Sequence, residues 1–172
     1  MMKPHETPDV VAGVGACCAG ESIGPEDAWS LDFHEKDLSG QCFSDASLVG
    51  ANFRGALLRG TRFDGADLSN ADFTGADLEL AVLGGAVLRN ASFHSANLER
   101  ANLVGVDAAG ADFSGARMYF SRPGNGNFTG ASFQGAQLDR AIFRRATLVN
   151  CDLRGATGVP NFENARLDGV IK

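Results

Sequence analysis

Residues 66 to 78 read Ala66-Asp67-Leu68-Ser69-Asn70-Ala71-Asp72-Phe73-Thr74-Gly75-Ala76-Asp77-Leu78. This stretch shows a five-residue period that runs from about Leu38 to Leu153, with Leu or Phe at the centre of nearly every unit. Of the 24 units, 21 have Leu or Phe at the centre, and 17 have Ala two residues earlier. The centres that differ are Ala108, Met118 and Pro123.

The odd period has a geometric consequence. Side chains alternate between the two faces of an extended strand, so a centre and the residue two before it share one face. Because five is odd, a straight strand would send successive centres to opposite faces, and the chain must turn once per unit to keep all of them inside. Gly or Asn in the last slot of many units suits a corner with positive φ. An amphipathic helix is excluded, since its apolar residues would recur near every 3.6 positions.

The number of units per turn follows from a second, longer period. Phe recurs every twenty residues in one series, and a second series at the same spacing contains no Phe. The spacing therefore predicts four units per coil, with like side chains stacked on like. A core filled by such columns has no room for a buried ligand. The two series are Phe33, Phe53, Phe73, Phe93, Phe113 and Phe133, and Leu38, Leu58, Leu78, Leu98, Met118 and Leu138.

Over residues 36–157 the repeated A(D/N)LXX units closely resemble the pentapeptide-repeat protein family. The resemblance implies an all-β fold, a right-handed quadrilateral parallel β-helix, here of about six to seven coils. That family shares a fold and not a function. Its best-known members mimic B-form DNA and bind type II topoisomerases, which gives quinolone resistance or self-protection.

Four segments are expected. Residues 1–22 lack periodicity and should be loosely ordered. Residues 23–35 should form an N-terminal cap with a short helix, because Pro25 suits a first helical position and Trp29 can cover the first coil. Residues 36–157 are the β-helix. Residues 158–172 shift the period by one residue after Gly158, so Phe162 and Leu167 are candidates for either a C-terminal cap or a dimer contact. In the topoisomerase-binding relatives a C-terminal dimer doubles the rod, which implies a possible homodimer.

Charge is unevenly distributed along the chain. The formal net charge is -6, but residues 1–35 hold one basic and seven acidic residues, whereas residues 36–172 hold fourteen of each. A DNA mimic needs carboxylates where phosphates would lie, and no face of the predicted coil carries a continuous acidic strip. An Asp just before a centre is expected to accept backbone N–H bonds at the turn, which is a structural role.

The period weakens between Arg117 and Asn127, where Pro123 replaces a buried centre and cannot donate to the ladder. One interpretation is a kinked coil with a thinned core. The other is a binding surface, because Tyr119 and Phe120 occupy outward slots with Arg122 close by. Arg100 and Arg140 lie one coil to either side and could sandwich Phe120. Leu57 and Leu80 point outward on the same face, and together these residues suggest an apolar patch for a partner.

Little in the chain indicates chemistry. Three scattered His and four irregularly spaced Cys form neither a metal site nor a disulfide framework, so no cofactor is expected. No nucleophile-base pair or phosphate loop is present, and we expect no enzymatic activity. The chain also has no long apolar run, so we expect no membrane span and a cytoplasmic location.

The favoured function is a scaffold that binds an unidentified protein partner through one flat face. The alternative is a DNA mimic that binds DNA gyrase or topoisomerase IV. Direct nucleic-acid binding is not expected, because the basic side chains are too dilute.

Overall fold

The computed structural model describes residues 31–172, which form a parallel β-helix. Within this range there is no helix, and each five-residue unit contributes a single bridging residue rather than a longer strand. We name the five positions of a unit the inner, bridge, centre, first turn and second turn positions. In the unit 51–55, for example, Ala51 is the inner residue and Phe53 is the centre.

The bridges show how the chain is wound. From Asp32↔Asn52 to Gln137↔Thr157, each bridge joins residues twenty positions apart in parallel register. One coil therefore contains four units. The bridge positions continue to Ile171, so the ladder begins before residue 36 and extends beyond residue 157, the bounds expected from the sequence. Residues 31–35 belong to the first coil and not to a separate cap.

Backbone hydrogen bonds tie each coil to its neighbours. The centre N–H donates to a carbonyl of the next coil, as Phe53 does to Asp72 at 2.7 Å. The bridge N–H donates back to the previous coil, as Asn52 does to Leu31 at 3.1 Å. A third bond closes each turn, as when Ala56 N–H donates to the carbonyl of Phe53 at 3.1 Å. The second turn residue of each regular unit has positive φ, which explains the preference for Gly and Asn there.

The inner and centre side chains fill the coil. The Phe series predicted from the twenty-residue period forms a continuous stack, with ring centroids 4.8–5.0 Å apart and interplanar angles of 2–12° from Phe33 to Phe133. These spacings match the distance of about 4.8 Å between neighbouring strands. The Ala residues at the inner positions are buried between the columns.

The last coil follows a shifted register. After Thr157 the next bridge residue is Asn161, and its partner Ile142 lies nineteen residues earlier instead of twenty. Thr147↔Arg166 and Asp152↔Ile171 keep the same spacing. The one-residue shift noted after Gly158 is therefore absorbed at one corner, and the segment 158–172 adds a further rung to the ladder.

The four columns define four outer faces. Face 1 comprises the units centred on residues 33, 53, 73, 93, 113, 133 and 153. Face 2 comprises those centred on 38, 58, 78, 98, 118 and 138. Face 3 comprises those centred on 43, 63, 83, 103, 123 and 143, and face 4 those centred on 48, 68, 88, 108, 128 and 148.

Candidate functional site

Large side chains follow one another along the corner where face 2 ends. The second turn position of this face is Gly40, then Gly60, and on the next four coils Leu80, Arg100, Phe120 and Arg140. All four large residues have φ between 56° and 61°. Residues other than Gly, Asn or Asp rarely adopt this conformation, because their side chains crowd the backbone. We call these four residues the ridge.

The other three corners are built differently. Their second turn positions are mostly Gly, Asn, Ser or Asp. The large side chains there are Glu35 and Arg145, and neither has a large neighbour at the same position on the adjacent coil. A run of four strained large residues on successive coils therefore occurs at the ridge and at no other corner of residues 31–172.

An aromatic pair marks the middle of the ridge. The rings of Tyr119 and Phe120 lie 4.4 Å apart at an interplanar angle of 76°, an edge-to-face contact. The guanidinium of Arg140 lies 5.1 Å from the centroid of the Phe120 ring. Within residues 31–172 Arg100 makes no such contact with the Phe120 ring. Of the two predicted Arg–Phe120 contacts, the structure therefore contains the one from Arg140. A cation–π contact at an exposed site is worth about 0.5–1 kcal/mol, enough to orient Phe120 before any partner binds.

Further exposed apolar side chains lie on face 2 and at the start of face 3. Leu80 is 50% exposed, Leu57 44%, and Tyr119 and Ile142 40% each. Ile142 lies at the bridge position of face 3, two residues after Arg140, and exposed Arg122 lies one coil before it. Leu57 is on face 2 but three coils from Tyr119, so it belongs to the same face without adjoining the aromatic pair.

The arginines near the ridge lack acidic partners. Eight of the twelve Arg residues form ion pairs with carboxylates of this chain. For the other four, no carboxylate lies within ion-pair distance among residues 31–172. These four are Arg100, Arg122, Arg140 and Arg145. Residues 100–150 contain six Arg and three Asp, a local excess of three positive charges in a chain of net charge -6.

Most Asp side chains at the bridge positions accept hydrogen bonds from the backbone. The ladder leaves the N–H of the first turn residue without a backbone partner. The side chain of the Asp two positions earlier accepts a hydrogen bond from this N–H. Asp112 accepts from the Ser114 N–H at 2.8 Å, and Asp72 accepts from the Thr74 N–H at 2.9 Å. The Asp residues before the centres are therefore structural, as the sequence predicted.

One of these carboxylates is strongly stabilised in its charged form. Hydrogen bonds from the side chain and the backbone of Arg154, together with one from Gln134, lower the pKa of Asp152 to about 2. This side chain is partly buried and holds a structural bond on face 1. It shows no feature of a catalytic acid.

The irregular unit adjoins the ridge. Because Pro123 has no N–H, the expected bridge between Arg122 and Ile142 is missing from the ladder. The core is not thinned at this point, contrary to one interpretation of the sequence. Phe128 contacts the rings of three other Phe residues at 5.7–5.8 Å and fills the space. It does so because Gly126 occupies an inner position, where a Cβ atom would lie only 2.6 Å from Phe128 Cε2.

Of the residues predicted to cap the coil or to form a dimer contact, the structure describes only those at the C-terminal end. Trp29 and the segments 1–22 and 23–30 lie outside the described residues. Phe162 packs on the last full coil, with its ring 5.3 Å from that of Phe143, and Leu167 is half-buried against the core. Both side chains thus cover the core from the C-terminal side.

Neither a metal-binding cluster nor a membrane-spanning helix occurs in residues 31–172. Within residues 31–172 no group of three His, Cys, Asp or Glu side chains is arranged to hold a metal ion. In the same range the fold contains no helix of the length and apolarity that crossing a membrane requires.

Sequence reasoning missed two features of this surface. The ridge had a usable signal, because the last slot of every fourth unit changes from Gly to a large residue between positions 60 and 80. The absence of acidic partners for Arg100, Arg122, Arg140 and Arg145 had none, since pairing depends on side-chain geometry across coils.

A family model described as Pentapeptide repeats matches the chain in eight copies, over residues 46–85, 81–118 and 127–157. None of the curated proteins matches the chain. Among solved structures, a pentapeptide repeat protein from the thylakoid lumen of Arabidopsis thaliana is 35% identical over 69% of this chain and 74% of its own, with a TM-score of 0.42.

Two further solved structures are similar. QnrB1, a plasmid-mediated fluoroquinolone resistance protein, is 25% identical over 81% of this chain and 76% of its own, with a TM-score of 0.46. HetL is a pentapeptide repeat protein involved in heterocyst differentiation regulation, from the cyanobacterium Nostoc sp. strain PCC 7120. It is 27% identical over 81% of this chain and 79% of its own, with a TM-score of 0.26.

Proposed function

This chain belongs to the pentapeptide-repeat family of right-handed β-helices, and we propose that it is a non-enzymatic scaffold that binds a protein partner through face 2. The observation that carries the proposal is the Tyr119–Phe120 pair, in which exposed Tyr119 contacts half-buried Phe120, near arginines that have no acidic partner among residues 31–172. The count of six to seven coils, a helical N-terminal cap restricted to residues 23–30, and a cytoplasmic location belong to the same proposal.

The surface has the properties of a binding hot spot. Aromatic and Arg side chains dominate the energetics of protein interfaces. Here they are held in place before binding, because Arg140 stacks on Phe120 and Tyr119 contacts its edge. A pre-ordered surface loses little conformational entropy on association, which favours binding.

The test is capture of partners from a lysate of the native host. The wild-type chain should recover at least one protein that the double variant Tyr119→Ala/Phe120→Ala does not. Val149→Ala, on the opposite face 4, is the matched control and should recover the same protein as wild type. Equal recovery by the wild type and the double variant would exclude this site.

The alternative function is DNA mimicry against DNA gyrase or topoisomerase IV. Asp32, Asp72, Asp112 and Asp152 recur on every second coil of face 1, which is the arrangement closest to an acidic strip. Arg54 and Arg154 form ion pairs with Asp72 and Asp152. All four Asp carboxylates also accept backbone N–H bonds. Because these carboxylates already have partners in the chain, we rank this function second. Gyrase supercoiling with added protein, with and without a quinolone, separates the two. If the protein neither inhibits gyrase nor protects it from the quinolone, DNA mimicry is excluded.

We also propose that a second copy of the chain pairs with the C-terminal rung to form a homodimer. In that rung the N–H groups of Phe162 and Leu167 make no hydrogen bond within residues 31–172, and both side chains are partly exposed. Pairing of two C-terminal rungs would cover these N–H groups and side chains.

We predict that Phe162→Asp/Leu167→Asp halves the mass of the particle measured by light scattering. The control Leu57→Asp, at an exposed position on face 2 far from the C-terminal rung, tests for a general effect of added charge. A wild type that is monomeric at high concentration would contradict the proposal.

A further inference from the structure

We propose that the partner of face 2 presents an acidic amphipathic α-helix that lies along the ridge, parallel to the axis of the coil. This inference rests on the proposed function and adds the chemistry of the partner. It follows from three properties of the ridge, which are its spacing, its alternation and its uncompensated charge.

The spacing favours a helix over a strand. Ridge residues lie on successive coils, about 4.8 Å apart along the axis. One turn of an α-helix rises about 5.4 Å, so a helix alongside the ridge stays within about 2 Å of register over three steps. Side chains on one face of a strand recur about every 6.6 Å, and a strand is out of register by about 4 Å after two steps.

The alternation specifies the sequence of that helix. Along the ridge an apolar and a cationic side chain take turns, from Leu80 to Arg100, Phe120 and Arg140. A complementary helix face carries an apolar residue on one turn and a carboxylate on the next, which corresponds to the a and d positions of a heptad. Ile142 and Tyr119, each 40% exposed, extend the apolar contacts to either side.

The charge specifies a carboxylate. Arg100 and Arg140 have no carboxylate partner among residues 31–172, whereas Arg59 and Arg117 on the same face pair with Glu79 and Glu99. An approaching carboxylate therefore gains an Arg contact without breaking an existing ion pair. Such complementarity speeds association and rejects partners of the wrong charge.

Nucleic acid fits this surface less well. A duplex carries one phosphate charge for about every 1.7 Å of its axis. Phosphates at that density would also lie against the carboxylates of Glu99 and Asp139, which directly precede Arg100 and Arg140, whereas a helix with one carboxylate for each of these Arg residues need not. The exposed side chains of Leu80 and Ile142 also favour an apolar partner surface.

The ridge spans only three coil spacings, so we expect the helix to bind weakly, with a Kd of about 10–100 µM.

The test uses an alanine-based helical peptide with leucine and glutamate alternating at heptad a and d positions, labelled for fluorescence anisotropy. The wild-type chain should bind it, and Arg100→Gln/Arg140→Gln should bind it at least tenfold more weakly. The matched control is Arg89→Gln/Arg154→Gln, which removes two arginines of faces 4 and 1 and should bind as wild type does. Circular dichroism of each variant verifies that the coil is intact.

Two further probes make the test selective. A peptide with lysine in place of glutamate should not bind, and neither should single-stranded or duplex DNA of similar length. The inference is overturned if the glutamate peptide does not bind, or if the glutamate and lysine peptides bind equally. It is also overturned if wild type and Arg100→Gln/Arg140→Gln bind the glutamate peptide equally, or if DNA binds more tightly than that peptide. If the host partner is still lost on Tyr119→Ala/Phe120→Ala in the capture experiment, the proposed function stands and only the partner chemistry fails.

Discussion

Where the residue before a centre is Asp, Asn or Ser, it acts mainly as an acceptor for its own backbone. Every unit leaves one N–H, that of the first turn residue, outside the ladder. Asp, Asn or Ser at the bridge position accepts that bond, as Asn102 does from the Val104 N–H at 3.1 Å. An unmade hydrogen bond of a backbone group shielded from water is costly, so this local contact explains the polar slot of the repeat.

Asp152 makes the acid dependence of this contact measurable. Because Arg154 lowers its folded pKa from 3.8 to about 2, the charged carboxylate favours the folded state above pH 4. That contribution is lost as the pH falls from about 4 to about 2. We predict that the thermal midpoint of Asp152→Asn falls less than that of wild type over this interval, as followed by circular dichroism. Parallel midpoint curves for the two proteins would contradict the assignment.

Ser121 contains a buried polar atom that the described residues leave unsatisfied. Its Oγ has no hydrogen-bond partner, whereas Thr61, in the same column, donates to the Leu38 carbonyl at 2.9 Å. An unsatisfied buried group costs about 1–3 kcal/mol. We predict that Ser121→Ala raises the free energy of unfolding by about 1 kcal/mol in urea titrations and that Thr61→Val lowers it by about the same amount. A destabilised Ser121→Ala chain would show that the hydroxyl is satisfied in solution.

At the scale of one coil, the irregular unit is a set of mutually dependent substitutions. Pro123 removes one ladder donor and a large centre, Phe128 supplies bulk on the neighbouring column, and Gly126 provides the space that the Phe128 ring occupies. None of the three is explained alone. Together they keep the core filled next to the ridge, which leaves the outer surface regular enough to present Tyr119 and Phe120.

Gly126→Ala tests this dependence. The added Cβ would lie 2.6 Å from Phe128 Cε2, so the ring must move. Overpacking of this kind costs about 1–3 kcal/mol. We predict that loss in the free energy of unfolding, and partial recovery in Gly126→Ala/Phe128→Leu, because Leu leaves the new methyl group space. The double variant also loses aromatic contacts, so recovery should be incomplete. Additive losses would contradict the coupling.

At the scale of the whole molecule, the protein is a column of repeated contacts between adjacent coils. Such solenoids are stabilised by each repeat and its neighbours, and within residues 31–172 every bridge of the ladder joins adjacent coils. Charge is unevenly distributed along this column, with more acidic than basic residues before residue 100, whereas the arginines that have no acidic partner among residues 31–172 lie from Arg100 onward. A partner therefore meets chemically different surfaces at different heights on the same face.

The column predicts which deletions are tolerated. Removing residues 56–75, one whole coil, joins Gly55 to Ala76 and keeps every later side chain in its own column, with Phe93 stacked on Phe53. Removing only residues 66–70 moves each later centre to the next column and places Phe73 over Leu48. We predict that the shorter deletion costs more, about 1–3 kcal/mol for each mismatched column, measured by chemical unfolding. A higher stability for the five-residue deletion would contradict column-specific packing.

The sequence by itself determined the coil. The odd period requires a turn in every unit, and the twenty-residue Phe series shows four units per coil, because both are properties of local geometry and side-chain size. It also placed Tyr119, Phe120 and Arg122 on the outside. The tertiary structure alone decided which arginines keep a carboxylate partner, that Arg140 and not Arg100 stacks on Phe120, and that Phe128 fills the core beside Pro123. These features depend on side chains about twenty residues apart that meet only when coils stack, so no local pattern encodes them.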